Sequence, residues 1–597
     1  MIGILVVLAR GLESVLRRMD SKWGKGDQMA DLLIQGGSIV DGSGAPAYDA
    51  DVRVSGRTIV EIGRSLKPRE GERTIDAAGA VVAPGFIDIH THLDPTLFWD
   101  PLCDPMPQHG VTTVLTGNCS LSLMPACEEH REEAIGVFCD IEDIPEATMR
   151  DALPWDWEGY ASYRDSQERG GLAVHSAALI GHSTLRIYVM GAEAWERAST
   201  EEERARIVAE MESAMAAGCF GFSTSFFDTD RHARPVPSRR ADQAELEELT
   251  DVIARNGAGF VEFIPDQSAG DPREDLDRMA QILGPRGVPG TWNGLVVSKM
   301  APESCALLAD HAEKQRAEGL EVYAQFSPRT LDMMVTWEQS LVFIMHPLGW
   351  NTMMSEDDAE KKREMLGDPE WRRIAREEWD ALGMSIFPIK HPEKALFISV
   401  EKPELEPWVG RNLGELAKER GLHPSDALAE WVLENDLKPG VVAVGVANDD
   451  VDDVARLLRH PATIVGASDA GAHLQMMCAA GDSTLFLTRH VRDRSDFTLE
   501  EGIFELTGRQ ADCFGFNRRG RVREGLEADL VVFRLEELAW EKEVMRSDLP
   551  GGARRLRRPA GGYRFTIAAG EITQENGKLT GARPAGVLDA REEKGRG

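Results

Sequence analysis

The sequence predicts an α/β protein: a (β/α)8 barrel of the TIM type with a small β-sandwich domain built from both ends of the chain. Three observations carry that expectation. The middle of the chain alternates short apolar runs with helical stretches, and repeated strand–helix units predict a parallel sheet. Both ends read instead as short strands separated by Gly, Ser and Pro. The length, 597 residues, exceeds one ordinary domain and suits a large barrel with additions.

Residues 1–28 read as an extension. The apolar run 2–9 is too short to span a bilayer and lacks the basic lead-in of a signal peptide; an amphipathic surface helix is the alternative. Regular patterning begins at Ala30. Residues 31–35, 38–41, 51–54 and 58–62 are strand-like, and so are 528–533 and 563–572 at the other end. Segments 30–84 and 515–585 are therefore expected to form one composite β domain. Residues 85–514 are expected to form the barrel. Its strands are placed near 86–92, 111–117, 173–181, 218–225, 258–264, 289–296, 320–327 and 462–468, with another near 441–447. Its helices include 201–216, 242–255, 303–317 and 450–458. An insertion of Met- and Trp-rich helices, about 331–408, interrupts the pattern and reads as a lid over the barrel mouth or a surface addition.

The formal net charge is -33. Such an excess of acid makes nucleic acid and anionic membranes unsuitable partners, and no segment after the extension reaches transmembrane length. Eight cysteines without CxxC pairs or regular spacing fit reduced thiols in the cytoplasm. The expected partner is a small-molecule substrate; self-association into a homo-oligomer is left open. An acidic substrate would need a local Arg or Lys.

The chemistry begins in Gly85–Asp94. On a strand, Ile87, Ile89, Thr91 and Leu93 share one face, and Asp88, His90, His92 and Asp94 the other. Two neutral imidazoles side by side are favoured ligands for zinc and similar metals. The competing reading, two solvated histidines on an edge strand, fits poorly with the apolar lead-in 81–86 and the stop at Pro95. In a parallel barrel the chemistry sits at the C-terminal strand ends, which is where His92 falls.

Three other strand ends carry reactive groups. Cys119, in Thr116-Gly117-Asn118-Cys119-Ser120, is either a thiolate ligand or a small buried apolar residue. Cys103, Cys127, Cys139, Cys219, Cys305, Cys478 and Cys513 take the second reading. Asp469 ends the apolar run 462–468. A carboxylate there can bind a metal and take a proton from metal-bound water, or can cap the next helix. His473 either orients that site or sits in the loop. In Ile180-Gly181-His182-Ser183-Thr184-Leu185-Arg186, His182 and Arg186 are candidates to face substrate. Arg329, beside Pro328, is another, since Arg holds a carboxylate bidentately. A structural ion pair is the alternative for either arginine.

Taken together, Pro84–His92, the split β domain and Ser468-Asp469 resemble the amidohydrolase superfamily. Gly117-Asn118-Cys119 and 181–186, with 218–225, look like its N-acyl-D-amino-acid deacylase (D-aminoacylase) branch, over about residues 30 to 580. The resemblance implies a metal-dependent hydrolase of amide bonds, with zinc as the metal. It implies that His90, His92, Cys119 and Asp469 are the metal-site positions, and that Asp469 is the general acid/base. It implies an N-acyl amino acid, of D configuration, as substrate. A cyclic amide or lactone, or a catalytically silent binding homologue, are the alternatives. The chain departs from the branch in one respect. Two further histidines are expected at strand ends that here read Phe260-Val261-Glu262-Phe263-Ile264-Pro265 and Gly290-Thr291-Trp292-Asn293-Gly294-Leu295. Lys299 is the nearest lysine for carbamylation. One zinc per chain is therefore expected rather than two, with Glu262 or His232 the candidates to complete a second site.

Overall fold

The computed structural model describes residues 31–595 except 233, 268–270, 298–301, 336, 338–348, 357 and 382–390. The extension 1–28 and Lys299 lie outside the described residues.

Both ends of the chain meet in one mixed sheet of nine strands. Leu32–Ile39, Tyr48–Ser55, Thr58–Gly63, Arg73–Asp76 and Val81–Pro84 come from the first end. Leu530–Phe533, Phe565–Ala568, Glu571–Glu575 and Lys578–Leu579 come from the other. Val81–Pro84 joins the two sets, running parallel to the end of Leu32–Ile39 and antiparallel to Leu530–Phe533. Ile34, Val52, Val54, Leu530, Val532 and Ile567 are buried together beneath it. A sandwich of two separate sheets was the sequence expectation; the hydrogen bonds make one. The reason is a register shift between Ile34 and Gly37. It lets one strand bond Arg73–Asp76 along its first half and Val81–Pro84 along its second, as β-bulges do where they bend a strand.

The middle of the chain forms two parallel sheets. One holds Phe86–Asp88, Val111–Thr116 and His175–Ala178. The other holds Ile180–Gly181, Gly221–Ser225, Phe260–Ile264, Gly290–Trp292, Val322–Phe326 and Thr463–Val465. These strands are buried almost throughout, as parallel strands covered on both faces are. Leu179 alone separates the last strand of one sheet from the first of the other. A parallel bridge from Thr91 to Ala470 ties the continuation of the first strand to the loop after the last. Helices flank the strands and start where their caps dictate: Glu201–Ala216 follows a Thr200–Glu203 capping box and Gln243–Asn256 follows Asp242. Among the described residues, no helix is long and apolar enough to cross a membrane.

The insertion is larger than the sequence suggests. Leu331–Val335, Ala395–Ser399 and Gly440–Ala447 form an antiparallel sheet with the last strand in the centre, so the run near 441–447 is not a barrel strand. Its partly exposed, alternating burial suits an antiparallel sheet with one wet face, which a strand buried on both sides cannot show. The insertion has its own core of Trp337, Trp350, Trp379, Phe397 and Trp431, which also takes in Met476. Met334 N–H bonds Met476 O at 2.8 Å, so the insertion rests on the loop after the last parallel strand.

The C-terminal segment returns to the first parallel sheet. Ser176 N–H reaches Gly586 O, Leu588 N–H reaches Ser176 O, and Ala590 N–H reaches Gly218 O, at 2.8–3.2 Å. Buried Arg519 bridges Asp529 and Glu593, and Asp529 also meets His175 Nε2 at 3.2 Å. One charge network thus fastens the β domain, the first parallel sheet and the last helix.

Candidate metal centre

The strand Phe86–Asp88 ends two residues before His90, and the chain beyond it is gripped by the opposite end of the fold. Asp469 N–H and Ser468 Oγ–H both donate to His90 O, at 3.1 and 2.9 Å, and His92 N–H donates to Ala470 O at 2.8 Å. Gly471 makes this possible. It sits at φ +95°, and a Cβ there would stand 2.7 Å from the His92 carbonyl, so only glycine fits. Gly117, at φ +78°, plays the same part for Cys119: its Cβ would overlap Leu179 O. Cys119, Ser120, Ala467, Asp469 and His473 are non-glycine residues at φ +50° to +65°. Left-handed backbone of this kind is strained and gathers at functional sites.

This framework brings four predicted residues together. His90 Nε2 lies 3.3 Å from Cys119 Sγ and 3.5 Å from Asp469 Oδ1, and His92 Nε2 lies 3.4 Å from the same Oδ1. His90, His92 and Cys119 are buried, whereas the Asp469 side chain is 29 % exposed. Tetrahedral zinc places adjacent N, S and O donors roughly 3.3–3.6 Å apart; the donor atoms of His90, His92 and Cys119 all lie within 4.8 Å of one another and suit one ion, with Asp469 reaching it from the side of the two imidazoles. The donor chemistry fits as well. Burial, then Glu262, Glu142, Asp228 and Asp469, push the Cys119 thiol well above its ordinary value; only a nearby cation makes it a thiolate. Burial raises Glu262 to about 8 and Asp228 and Asp94 to about 6. Among the described residues, Glu262 Oε1, Asp94 Oδ1 and Asp228 Oδ2 have no hydrogen-bond partner. So much buried acid calls for positive charge.

The two imidazoles differ. Burial lowers His90 to about 4. For His92 burial acts the same way, but Glu142 and Asp469 overcome it and push the ring to about 9. Glu142 ends the helix Arg131–Glu142. Its Oε1 is 3.2 Å from His92 Nδ1, and its carbonyl accepts His473 N–H. His473 Nε2 stands 3.9 Å from Asp469 Oδ2, and burial lowers this ring to about 4. For Asp469, burial is outweighed by His92 and His90, which hold the carboxyl well below its usual range.

Three of the residues expected to face substrate make their hydrogen bonds within the protein. His182 Nε2 bonds Glu245 Oε1 at 2.8 Å and its Nδ1 meets Thr224 Oγ1 at 3.0 Å. Arg186 is buried, with Nη1 2.6 Å from both Glu245 oxygens and Nη2 donating to Arg197 O. The helix His182–Met190 turns both side chains onto Gln243–Asn256, so they form a structural ion pair. Arg329 donates from Nη2 to Ser468 O and from Nη1 to Cys478 O, beside Asp482. It straps the loop that carries Asp469. Of the candidates for a second site, Glu262 accepts the Cys119 N–H through Oε2 at 3.0 Å, while His232 sits on a loop braced by Asp230. Glu142 and Gln325, which contact His92 and His90, were missed. Gln325 lies one residue before the end of its strand and Glu142 in a helix, and neither position carries a local signal of its contact.

The chain is similar to known proteins along most of its length. The Amidohydrolase family model matches residues 73–574. An N-acyl-D-aspartate deacylase from Alcaligenes xylosoxydans xylosoxydans is 30% identical over 515 residues, 84% of this chain and 86% of the relative. A D-aminoacylase structure studied for its binuclear metal centre is 25% identical, with a TM-score of 0.65 over 94% of this chain and 99% of that one. An N-acyl-D-glutamate deacylase from Bordetella bronchiseptica, complexed with zinc and a phosphonate inhibitor, shares the fold at 24% identity and a TM-score of 0.65, over 94% and 100% of the two chains. The chain belongs to the amidohydrolase family, in its D-aminoacylase-like branch, and is a hydrolase of carbon–nitrogen bonds other than peptide bonds.

Proposed function

We propose that the protein hydrolyses a linear amide, an N-acyl amino acid of D configuration, with one zinc ion held by His90, His92, Cys119 and Asp469. One observation carries the reading: two buried imidazoles and a buried thiol offer donor atoms all within 4.8 Å of one another, and a part-exposed carboxylate stands 3.4–3.5 Å from both imidazoles. Two nitrogens, a sulfur and an oxygen suit zinc better than harder or softer cations. The Alcaligenes relative's name, N-acyl-D-aspartate deacylase, supports the substrate class. A single ion is supported by the strand ends 260–265 and 290–295, which carry no histidine. The two parallel sheets and the bridge between Thr91 and Ala470 support a closed (β/α)8 barrel around this centre.

Bound zinc supplies Lewis-acid polarisation of the scissile carbonyl and lowers the pKa of water. The chain supplies the rest. Asp469 is the one member of the set open to substrate, and ionised as a proton acceptor must be. Its carboxylate takes the proton of the attacking water and returns it to the nitrogen of the leaving amine. His473, neutral at pH 7, stands behind the far oxygen of that carboxylate. Cyclic amides are a second reading, favoured because Arg186 and Arg329 are both committed within the protein. A substrate carboxylate would therefore find neither of them.

Metal content and turnover test the proposal together, on a panel of N-acetyl-D- and N-acetyl-L-amino acids, hydantoins and lactones. We expect about one zinc per chain and turnover of the N-acetyl-D compounds. Less than about a tenth of an equivalent, with no gain on adding metal, would sink the hydrolase mechanism.

A further inference from the structure

We infer that Gln325 is a positioning residue: it fixes which ring nitrogen of His90 is offered to the metal, and locks that choice to the turn that delivers Asp469. The inference rests on the zinc centre proposed above.

Gln325 lies near the end of the strand Val322–Phe326, buried. Its Oε1 is 2.8 Å from His90 Nδ1 and 3.2 Å from the backbone N of Ala467. The second contact settles the first. Ala467 N–H can only donate, so the atom facing it is the amide oxygen and not the nitrogen. An oxygen can only accept, so His90 Nδ1 must carry the proton. The lone pair is then on Nε2, the atom 3.3 Å from Cys119 Sγ and 3.5 Å from Asp469 Oδ1. An imidazole whose far N–H is held by an acceptor is fixed in tautomer and orientation and is a better ligand for it.

The same oxygen acts on the second ligand. Ala467 holds a left-handed φ of +53° two residues before Asp469, itself at +65°. A hydrogen bond to the Ala467 amide helps to stabilise that strained turn. Gln325 Nε2 finds no acceptor among the described residues, so the hydrogen bonds seen to hold this side chain are those of its oxygen.

The test measures zinc affinity of the full-length protein by competition with a chromophoric chelator, and the visible spectrum of the Co2+ form. Gln325→Leu is expected to bind zinc about 10–100-fold more weakly and to shift the Co2+ bands, because His90 is free to turn or change tautomer. Gln325→Glu keeps the acceptor and is expected to bind at least as tightly as wild type. A generic packing role predicts the reverse, since a buried charge disrupts packing more than leucine does. Folding is checked by circular dichroism. If Gln325→Leu does not fold, Gln325→Glu decides alone: binding about tenfold weaker than wild type overturns the inference. Zinc binding by folded Gln325→Leu within about threefold of wild type also overturns it. Failure of the wild-type protein to bind zinc overturns the proposed metal centre and this inference together, so the two failures are distinguishable.

Discussion

Cys119 and His92 both hold protons that a metal must displace. Burial and four carboxylates raise the thiol, and Glu142 with Asp469 raises His92 to about 9 against the effect of burial. Binding then releases protons, so affinity must climb with pH. Zinc affinity is expected to rise about tenfold or more per pH unit between about pH 6 and 8.5, measured by chelator competition in matched buffers; a flat profile would show that neither group gives up a proton. Asp469→Asn keeps a carbonyl donor but no basic oxygen. It should retain much of its zinc while kcat falls by about 10²–10⁴, checked by metal analysis and steady-state kinetics on one preparation. Full activity would remove Asp469 from the proton path. Arg186 belongs to stability instead. Glu245, held near 2 by His182 and Arg186 despite burial, neutralises it inside the fold. Glu245→Ala should cost about 3–5 kcal/mol by leaving Arg186 buried without a counter-charge, read as a lower Tm.

Among the elements, the strand ends were the most legible. Alternation along 87–94 separates packing side chains from donors, and a short apolar run ending in Asp469 marked that residue, whereas Cys119 was marked only by the family resemblance. What escaped was set by partners distant in sequence. Gln325 meets His90 from 235 residues away and Arg186 meets Glu245 from 59, and no local pattern encodes either contact. The strand Gly440–Ala447 was drawn into the wrong sheet because a short apolar run looks alike in both. Its true neighbours give the insertion a core of its own, where Trp431 stacks on Phe397 with ring centroids 4.2 Å apart. Trp431→Ala should therefore cost about 3–5 kcal/mol, felt within that element. Limited proteolysis is expected to cut the insertion while zinc content holds; loss of zinc would tie the element to the centre.

On the scale of the whole molecule, the network of Arg519, Asp529, Glu593 and His175 sets the response to acid. Burial alone would raise Asp529, but His175 and Arg519 hold it below its ordinary range. Its unfolded pKa is about 3.9. The network's contribution is therefore whole at neutral pH and drains away as pH falls below that value toward the lower folded one. Asp529→Asn should lower stability at pH 7 and flatten its loss at low pH, both visible in urea melts at a series of pH values.

The chain's return to its own start has a consequence for synthesis. His90 and Asp469 leave the ribosome 379 residues apart, and the segment that pairs with Ser176 and Gly218 follows later than Asp469. Until then, the strand His175–Ala178 lacks its C-terminal cover and Val81–Pro84 lacks Leu530–Phe533. A nascent chain of this order shows bare strand edges for most of its translation, at about 5–20 residues per second. Such edges recruit other strands. A chaperone that shields those edges during elongation is therefore expected to raise the yield of folded protein in coupled translation; an unchanged yield would show that the edges need no such cover.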